Sequence, residues 1–571
     1  NNKNKAKNLM KSVSGYNWEE IKINKRILEK AKIDHNFSNI LTKLIISRKF
    51  TEEEVVSLKQ KPEIYNPFLN NVDFENGFKV LDDVIQQNGK ILIIGDYDVD
   101  GCVSTSLLIN FLNLLNKNTN FYIPNRFKDG YGATLKLVKK LTIKKIDLVI
   151  MVDCGSNSND TIKYLNSQKI KSIIIDHHEI YKPYLRSNSL INPKKDCSYK
   201  SYDYLCSSSL TYFFIDFFIK KKKIKIKFDN NLIYVLLATI CDVMPLRGLN
   251  RIIAINTLEA FSLKKNFFFN KVFQKKKIKR PLNIYDFGFL FGPLINSAGR
   301  LDDPNIVIEL LTKDDELLKE NIINKLFILN EKRKLIQDSL LKEINLEKIK
   351  KNKNKIIIIY ENNLNEGIIG ILASKLKDHF NKPAIVMTKS GDSFKASARS
   401  TNDFNIGRYI KIAIDKKIIS NGGGHNLAAG FTINKNKILE LQNFLNKMHE
   451  NKVTNQSKKF ISKISLNSLN TEFYKDIKLL RPFGYLNSNP FFLIENIKII
   501  KPKILNNKYV TFFIKSNSGK MFPVISFSLL DSELNKRILH YKTKMNLIVQ
   551  VNENLWNNKK NLQLIVIDVI V

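Results

Sequence analysis

An α/β chain that ends in a small β-barrel is the fold class the sequence predicts, and three observations carry it. Short apolar runs alternate with helical stretches between about Val80 and Asp176. A second alternation of the same kind opens at Ile356. After the polar segment Asn451–Lys459 the pattern turns to β-rich runs. In the first region Lys90–Gly95 (KILIIG), Ile146–Val152 (IDLVIMV) and Lys171–Ile175 (KSIII) are β-rich and short enough to be buried parallel strands. Leu107–Leu115 and Thr134–Leu141 suit the helices between them, and such a series builds a doubly wound parallel sheet. From Asp303 to about Lys353 the chain is charged and helix-rich, as a long helical connector would be. The strand Ile356–Tyr360 then opens a second α/β domain. Phe491–Ile500, Tyr509–Ile514, Met521–Phe527 and Met545–Val551 give the tail the size of a barrel. The expected division is 1–72 as an N-terminal helical extension, 73–302 as the first α/β domain, 303–353 as the connector, 354–450 as the second α/β domain and 451–571 as the barrel.

Length and composition agree with that division. The chain has 571 residues, about three or four domains at roughly 150 residues each. Hydrophobic residues make up 43% and aromatics 10%, which excludes a disordered chain and leaves ample material for buried cores. Lys and Arg number 93 against 54 Asp and Glu, a formal charge of +39, and a balance so basic points to a polyanionic partner such as nucleic acid. Only 13 of those basic residues are Arg, and Lys, Asn and Ile are abundant; A/T-rich codons produce the same bias without selection for binding, so the charge decides little. Five cysteines with no C-x-x-C pair argue against a disulfide framework or a zinc ribbon and fit a reducing compartment. Asn1–Lys11 has no apolar core, so no signal peptide is expected; the first residue is not Met, which leaves the natural start open. Leu210–Ile219 is the nearest approach to a membrane span, but it is short, carries Asp216 and runs into Lys220–Lys223. A soluble, cytoplasmic protein with no membrane partner is the expectation.

Gly95-Asp96-Tyr97-Asp98-Val99-Asp100-Gly101 holds the most chemistry. Three carboxylates at i, i+2 and i+4 follow a buried strand and precede a helix. Like charges about 6 Å apart repel by roughly 3 kcal/mol at an effective dielectric near 20, so such a cluster needs a metal or must hold protons. A calcium loop of the EF-hand type would need Glu at its twelfth position and a helix before it; here stand Leu107 and a strand. The next two strands repeat the arrangement, one ending in Asp153 (VDCG) and one in Asp176-His177-His178. A single such Asp would be a helix cap more often than a ligand. Three successive strands delivering acids and two imidazoles to the carboxyl edge, where open α/β sheets bind their ligands, describe a binuclear metal site. Asp242, after the apolar run Leu232–Cys241, is a further candidate. Carboxylates with one or two His suit Mn²⁺, Mg²⁺ or Fe²⁺ better than a thiolate zinc site, and the expected cofactor is a pair of divalent ions, Mn²⁺ or Mg²⁺. The residues imply metal-dependent hydrolysis of a phosphoester or phosphoanhydride.

DYDVDG, VDCG and DHH in this order resemble the DHH phosphoesterase superfamily, and further segments resemble its RecJ family of single-strand-specific exonucleases. These are Tyr122–Arg126 with Asp129–Gly132, Thr239–Leu246, Asn296–Leu301, Gly367–Ser374, Ser397–Ser400, Gly423–Gly430, and Pro482–Gly484 with Asn489-Pro490. The resemblance runs from about Asp73 to the C-terminus. It implies a DHH catalytic domain, a DHH-associated domain and a C-terminal OB-fold, and 5′-to-3′ hydrolysis of single-stranded DNA to 5′-mononucleotides in repair and recombination. It puts Asp96, Asp98, Asp100, Asp153, Asp176, His177 and Asp242 at metal positions, with Asp98, Asp100, His177 and His178 catalytic. It leaves open which His binds metal and which faces the scissile phosphate. Arg126, Arg300, Ser397, Arg399, Gly424 and His425 fall where the family contacts DNA phosphates, including the 5′ end. A helicase and a single-strand-binding protein are implied partners of a monomer. Smaller-substrate DHH phosphodiesterases generally lack the C-terminal barrel, which argues against oligoribonucleotides or cyclic dinucleotides as substrates; an inactive single-strand-binding relative is the other alternative. Leu364-Asn365 stands where the family has Trp-His, and Asn487–Phe491 departs from its G-N-P-E-P pattern. Where Lys is this abundant, Arg should persist where Lys cannot substitute. Arg126, Arg247, Arg251, Arg300, Arg399 and Arg481 all lie in or beside the motifs, as do three of the seven His.

Overall fold

Five parallel strands form the first sheet. In the computed structural model they are Ile91–Ile94, Asn120–Tyr122, Leu148–Val152, Lys171–Ile175 and Ser189–Ile191, and in space the second comes first, followed by the first, third, fourth and fifth. The structure describes residues 10–571 except 118, 131, 181, 196, 345–348, 350, 352–353, 451–456, 517–518, 520, 529, 531, 541–543 and 557–558. Tyr131 of the Asp129–Gly132 segment, Lys353 at the expected end of the connector and the first six residues of Asn451–Lys459 lie outside the described residues.

The central strands are buried at every position of Ile91–Ile94 and Leu148–Val152, which is why they read as unbroken apolar runs: helices cover both faces. The covering helix Val99–Leu114 is capped by Asp98, whose carboxylate accepts from the Gly101 N–H at 3.1 Å. Leu135–Leu141 is capped by the Thr134 hydroxyl and Val72–Gln86 by the Asn71 amide. Register aligns the carboxyl ends: Ile94 lies opposite Tyr122 and Met151, and Ile175 opposite Val152 and Ile191. In a sheet of this order the ligand crevice falls between the first and third strands, the strands that lead into Asp96 and Asp153. Leu210–Ile219 lies inside the buried helix Ser207–Lys222, and no helix among the described residues is long and apolar enough to cross a membrane.

Among the described residues the charged stretch after Asp303 opens with two helices, Asn305–Thr312 and Glu316–Glu343. The break at 313–315 is fixed by Asp315, which caps the second helix through the Leu318 N–H. The second α/β fold carries a sheet in the order Asn421–His425, Ala428–Asn434, Ser393–Arg399, Ala384–Ser390, Ile357–Glu361, antiparallel except for the last pair. These parts, residues 64–244 and 256–453, make one compact unit.

Residues 1–63, 245–255 and 454–571 make the other. Its main sheet runs Ser462–Lys463, Phe492–Ile497, Met545–Trp556, Lys559–Ile570, Met521–Ser526, Tyr509–Lys515, Ile499–Leu505. Val510, Phe512 and Ile514 alternate inward from Tyr509–Lys515, as a strand with one buried face requires. The N-terminal residues fold here: Asn17–Glu20 pairs in parallel with Ser457–Phe460, and the fully buried Trp18 donates its indole N–H to Asp568 at 2.9 Å.

Candidate metal centre and anion site

Each acid is delivered by backbone geometry that the sequence dictates. Gly101 lets the first turn of Val99–Leu114 pass against Asp96, since a Cβ there would meet the Asp96 carbonyl oxygen at 2.4 Å. Asp100 lies in the first turn of that helix and accepts the N–H groups of Ser207 and Ser208, both at 2.8 Å, at the N-terminus of Ser207–Lys222. Asp153 follows its strand in the left-handed region, φ 58°, and takes the Ser207 hydroxyl at 3.0 Å. Asp242 ends the helix Leu232–Cys241. His177 Nε2 lies 3.4 Å from Asp242, 3.5 Å from Asp153 and 3.9 Å from Asp100.

Three overlapping sets could each hold a metal ion, with ligand atoms within 4.8 Å of one another: Asp96, Asp98 and Asp153; Asp100, His177 and Asp242; and Asp153, His177 and His178. Two observations say that these residues fit divalent cations. Asp96 Oδ1 and Asp242 Oδ2 are buried with no hydrogen-bond partner among the described residues. Burial first, and then neighbouring carboxylates, hold the carboxyls of Asp96, Asp98, Asp153 and Asp242 above their usual range: Asp98 acts on Asp96, Asp100 acts on the other three. A cation would relieve both. The donors are oxygen and imidazole nitrogen, with no thiol in any of the three sets, which suits Mn²⁺ or Mg²⁺. Cys102, Cys154, Cys206 and Cys241 flank the acids, and burial pushes all four thiols up, so they stay neutral.

Asp176 is arranged differently. Its Oδ2 accepts the Ser156 N–H at 3.1 Å, and its Oδ1 accepts the backbone N–H groups of His177 and His178 and the His178 Nδ1 at 2.7 Å. It orients the second histidine and belongs to none of the three sets. Burial would raise its pKa, but the charge and hydrogen bond of His178 outweigh that and lower it. The same pair lifts His178 to about 9 against the effect of its burial, whereas burial and the neighbouring His178 bring His177 down to about 4. The two imidazoles thus stand in opposite surroundings, one favouring the cationic form and the other the neutral form.

A second cluster borders this one. Arg126 follows the strand beside Asp96, and Asp129 shapes its turn by accepting the Tyr122 hydroxyl and the Asn125 N–H, both at 2.9 Å. The Arg126 guanidinium lies 4.2 Å from the Tyr97 ring centroid, and its Nε is buried without a hydrogen-bond partner among the described residues. Arg300, near the end of the helix Gly292–Leu301, donates to the Gly367 carbonyl at 3.0 Å. Burial brings it down to about 9, helped by Arg126, Arg399 and Arg333. Arg399 donates to the Ser397 hydroxyl at 3.2 Å, and the N-terminal turn of Ile369–Phe380 comes so close that a Cβ at Gly370 would be 2.9 Å from the Ser397 hydroxyl and 3.2 Å from Arg399 Nη2. Arg399 and Ala428 share one rung of the second sheet and Ala428 and His425 the next pairing, so both functional side chains stand at one sheet end. The His425 ring stacks on His178, centroids 5.8 Å apart, and Gly424 lets its strand lie against Ala428 and Ala429. Guanidiniums, a hydroxyl and a helix N-terminus brought together in this way could hold an anion.

Three of the six motif-adjacent arginines go elsewhere. Arg247 pairs with Glu54 at 2.5 Å and donates to the carbonyls of Arg48 and Lys49, Arg251 donates to those of Leu479 and Arg481, and Arg481 donates to Asn552 at 2.8 Å. They tie the second compact unit together. Asn365, in place of the family's His, accepts the Gly367 N–H at 2.8 Å and shapes the turn before Ile369–Phe380. Arg333 escaped the motif reading altogether. Its signal was a polar interruption, N-x-x-R-x-x-x-Q, in the apolar stripe of Glu316–Glu343.

Comparison with known proteins gives the class. Residues 90–240 match the DHH family, N-terminal domain, and 353–451 match the DHHA1 domain, so the chain carries these two domains in that order. Residues 462–568 match the RecJ OB domain. Its relatives include the single-stranded-DNA-specific exonuclease RecJ of Bacillus subtilis, 27% identical over 93% of this chain and 67% of that one, and of Escherichia coli, 27% identical over 73% and 76%. The crystal structure of RecJ in complex with Mn²⁺ from Thermus thermophilus has a TM-score of 0.82 at 18% identity, covering 97% of this chain and 79% of the other, and shares the fold. The RecJ exonucleases are thus what this chain is similar to, in sequence and in fold.

Proposed function

We propose that this protein is a metal-dependent exonuclease that hydrolyses single-stranded DNA in the 5′-to-3′ direction to 5′-mononucleotides, serving repair and recombination. The observation that carries it is the adjacency of two opposite clusters. The Arg126 guanidinium covers the ring of Tyr97, which stands between Asp96 and Asp98, and the His425 ring stacks on His178; Arg126 also acts electrostatically on Arg300 and Arg399. A strand whose terminal phosphate rests on the arginines presents a neighbouring phosphodiester to the acids, and a terminal anchor makes cleavage exonucleolytic. The names of the relatives, the OB domain and the single-strand specificity they print support DNA of that kind as substrate.

In this reading Asp96, Asp98, Asp100, Asp153, His177 and Asp242 hold two divalent ions, and Asp176 sets the frame around them. Bound there, Mn²⁺ or Mg²⁺ supplies an activated water and neutralises charge on the phosphoryl oxygens. The chain's own groups do the rest. His177 offers its Nε2 to the centre. His178, held by Asp176 and stacked on His425, donates a hydrogen bond to a non-bridging oxygen of the scissile phosphate. Arg126, Arg300, Arg399, Ser397 and the Gly424–His425 strand fix the 5′ end, which is positioning. The OB domain grips the downstream strand by stacking and phosphate contacts. The proposal extends to a cytoplasmic monomer that works with a helicase and a single-strand-binding protein. Single strands labelled at either end, with the matching duplex, test it in Mn²⁺: label at the 5′ end should leave first as mononucleotide and the duplex should persist. Release from the 3′ end, or equal attack on the duplex, would overturn it.

A further inference from the structure

We propose that Arg333, on the connector helix, is a fourth phosphate-binding guanidinium, joining Arg126, Arg300 and Arg399 around the 5′-terminal phosphate. The inference rests on the exonuclease reading and adds a specificity-determining residue to it. Leu326, Asn330, Arg333, Gln337 and Leu340 recur at spacings of four and three, so they share one face of Glu316–Glu343. That face is turned inward. Leu326, Asn330 and Gln337 are buried, Leu340 packs in the core beside Ile368 and Ile369, and Ser297 of the Arg300 helix donates to the Leu326 carbonyl at 3.3 Å. Arg333 is therefore placed between the helix that carries Arg300 and the one whose N-terminus faces Ser397 and Arg399.

How it is held separates it from the structural arginines. Arg247 and Arg280 each close on a carboxylate, Glu54 and Asp286. Arg333 is clamped by two amides, Nε to Asn330 Oδ1 at 3.0 Å and Nη1 to Gln337 Oε1 at 3.3 Å. Neutral partners fix the fork without cancelling its charge. Glu331 and Asp338 act on it from the same helix, but both are exposed, and the guanidinium in turn bears on Arg300. A cluster of four guanidiniums suits the dianion of a terminal phosphomonoester better than the single charge of an internal phosphodiester.

Equilibrium binding of a fluorescent single-stranded dodecathymidylate, with a 5′-phosphate or a 5′-hydroxyl, tests this on the full chain in EDTA, where no turnover intervenes. Arg333→Gln should weaken binding of the phosphorylated strand about tenfold, the size of one charge-assisted hydrogen bond, and that of the hydroxyl strand less than threefold. Arg333→Lys should recover part of the loss. Thermal melting of both variants separates binding from folding. Equal losses on the two strands, or none, would overturn the role of Arg333. Turnover of wild-type protein in Mn²⁺ reads the exonuclease proposal independently of that outcome.

Discussion

Asp242 carries an unpartnered buried oxygen in a centre where four carboxyls are held above their ordinary range, and this makes its contribution to stability depend on metal. Without metal it adds repulsion of roughly 3 kcal/mol per close like-charged neighbour at about 6 Å. Asp242→Asn should therefore raise the melting temperature of EDTA-treated protein and shrink the further rise that Mn²⁺ produces. A fall in the metal-free protein would mean that the carboxylate is stabilised by the fold alone. The acids were legible in sequence because each stands right after a buried strand or helix, where chain direction fixes its position. The division of labour between His177 and His178 was not, because it depends on which ring reaches Asp176, a contact of side-chain rotamers. Arg333 was hidden for a related reason: its charge is kept by amides two turns apart, and no local pattern marks the arginines it faces.

At the scale of elements, the three strands read as buried apolar runs and the helix Thr134–Leu141 lie close to their observed limits, since runs buried on both faces leave no alternative period, whereas the helix expected over Leu107–Leu115 begins at Val99 and the short edge strands Asn120–Tyr122 and Ser189–Ile191 left no such run. The joining of the N-terminal strands to Ser457–Phe460 was not legible, because pairing across more than four hundred residues has no local signature. The connector broke in two at Asp315, an ordinary cap obscured by the charges around it. Within the second compact unit, Glu54 binds Thr51, Arg247 and Gly248, joining the helix Glu52–Lys59 to the 245–255 segment. Burial would raise its pKa, yet the Arg247 hydrogen bond and the backbone donors lower it. A carboxyl depressed in this way stabilises fully above its unfolded value of about 4.3 and loses that contribution as pH falls through its lower folded value. Glu54→Gln should cost about 3 kcal/mol in urea unfolding at pH 7, and the difference from wild type should narrow as pH drops below about 4. A gap independent of pH would place the loss in packing.

For the whole molecule, the +39 charge is the bluntest feature, and its meaning lies in where the few arginines sit. Arg126, Arg300 and Arg399 in the first compact unit cluster by their mutual electrostatics, whereas Arg247 and Arg251 in the second hold a carboxylate and backbone carbonyls, and their closeness to motifs reflects architecture. If about four phosphates are contacted along the strand, affinity should fall about 50-fold between roughly 50 and 200 mM salt, from a slope near −0.7 per contact. A flat salt response in fluorescence anisotropy would remove the phosphate-tracking groove. The most direct measurement is release of mononucleotide from 5′-labelled single-stranded DNA in Mn²⁺ by wild-type protein beside Asp98→Ala and His177→Ala, each checked for folding. Loss of at least about a thousandfold in both variants, with the wild type active, is expected of a centre that supplies the nucleophile and the charge stabilisation together. Activity surviving in Asp98→Ala would contradict the metal centre as assigned.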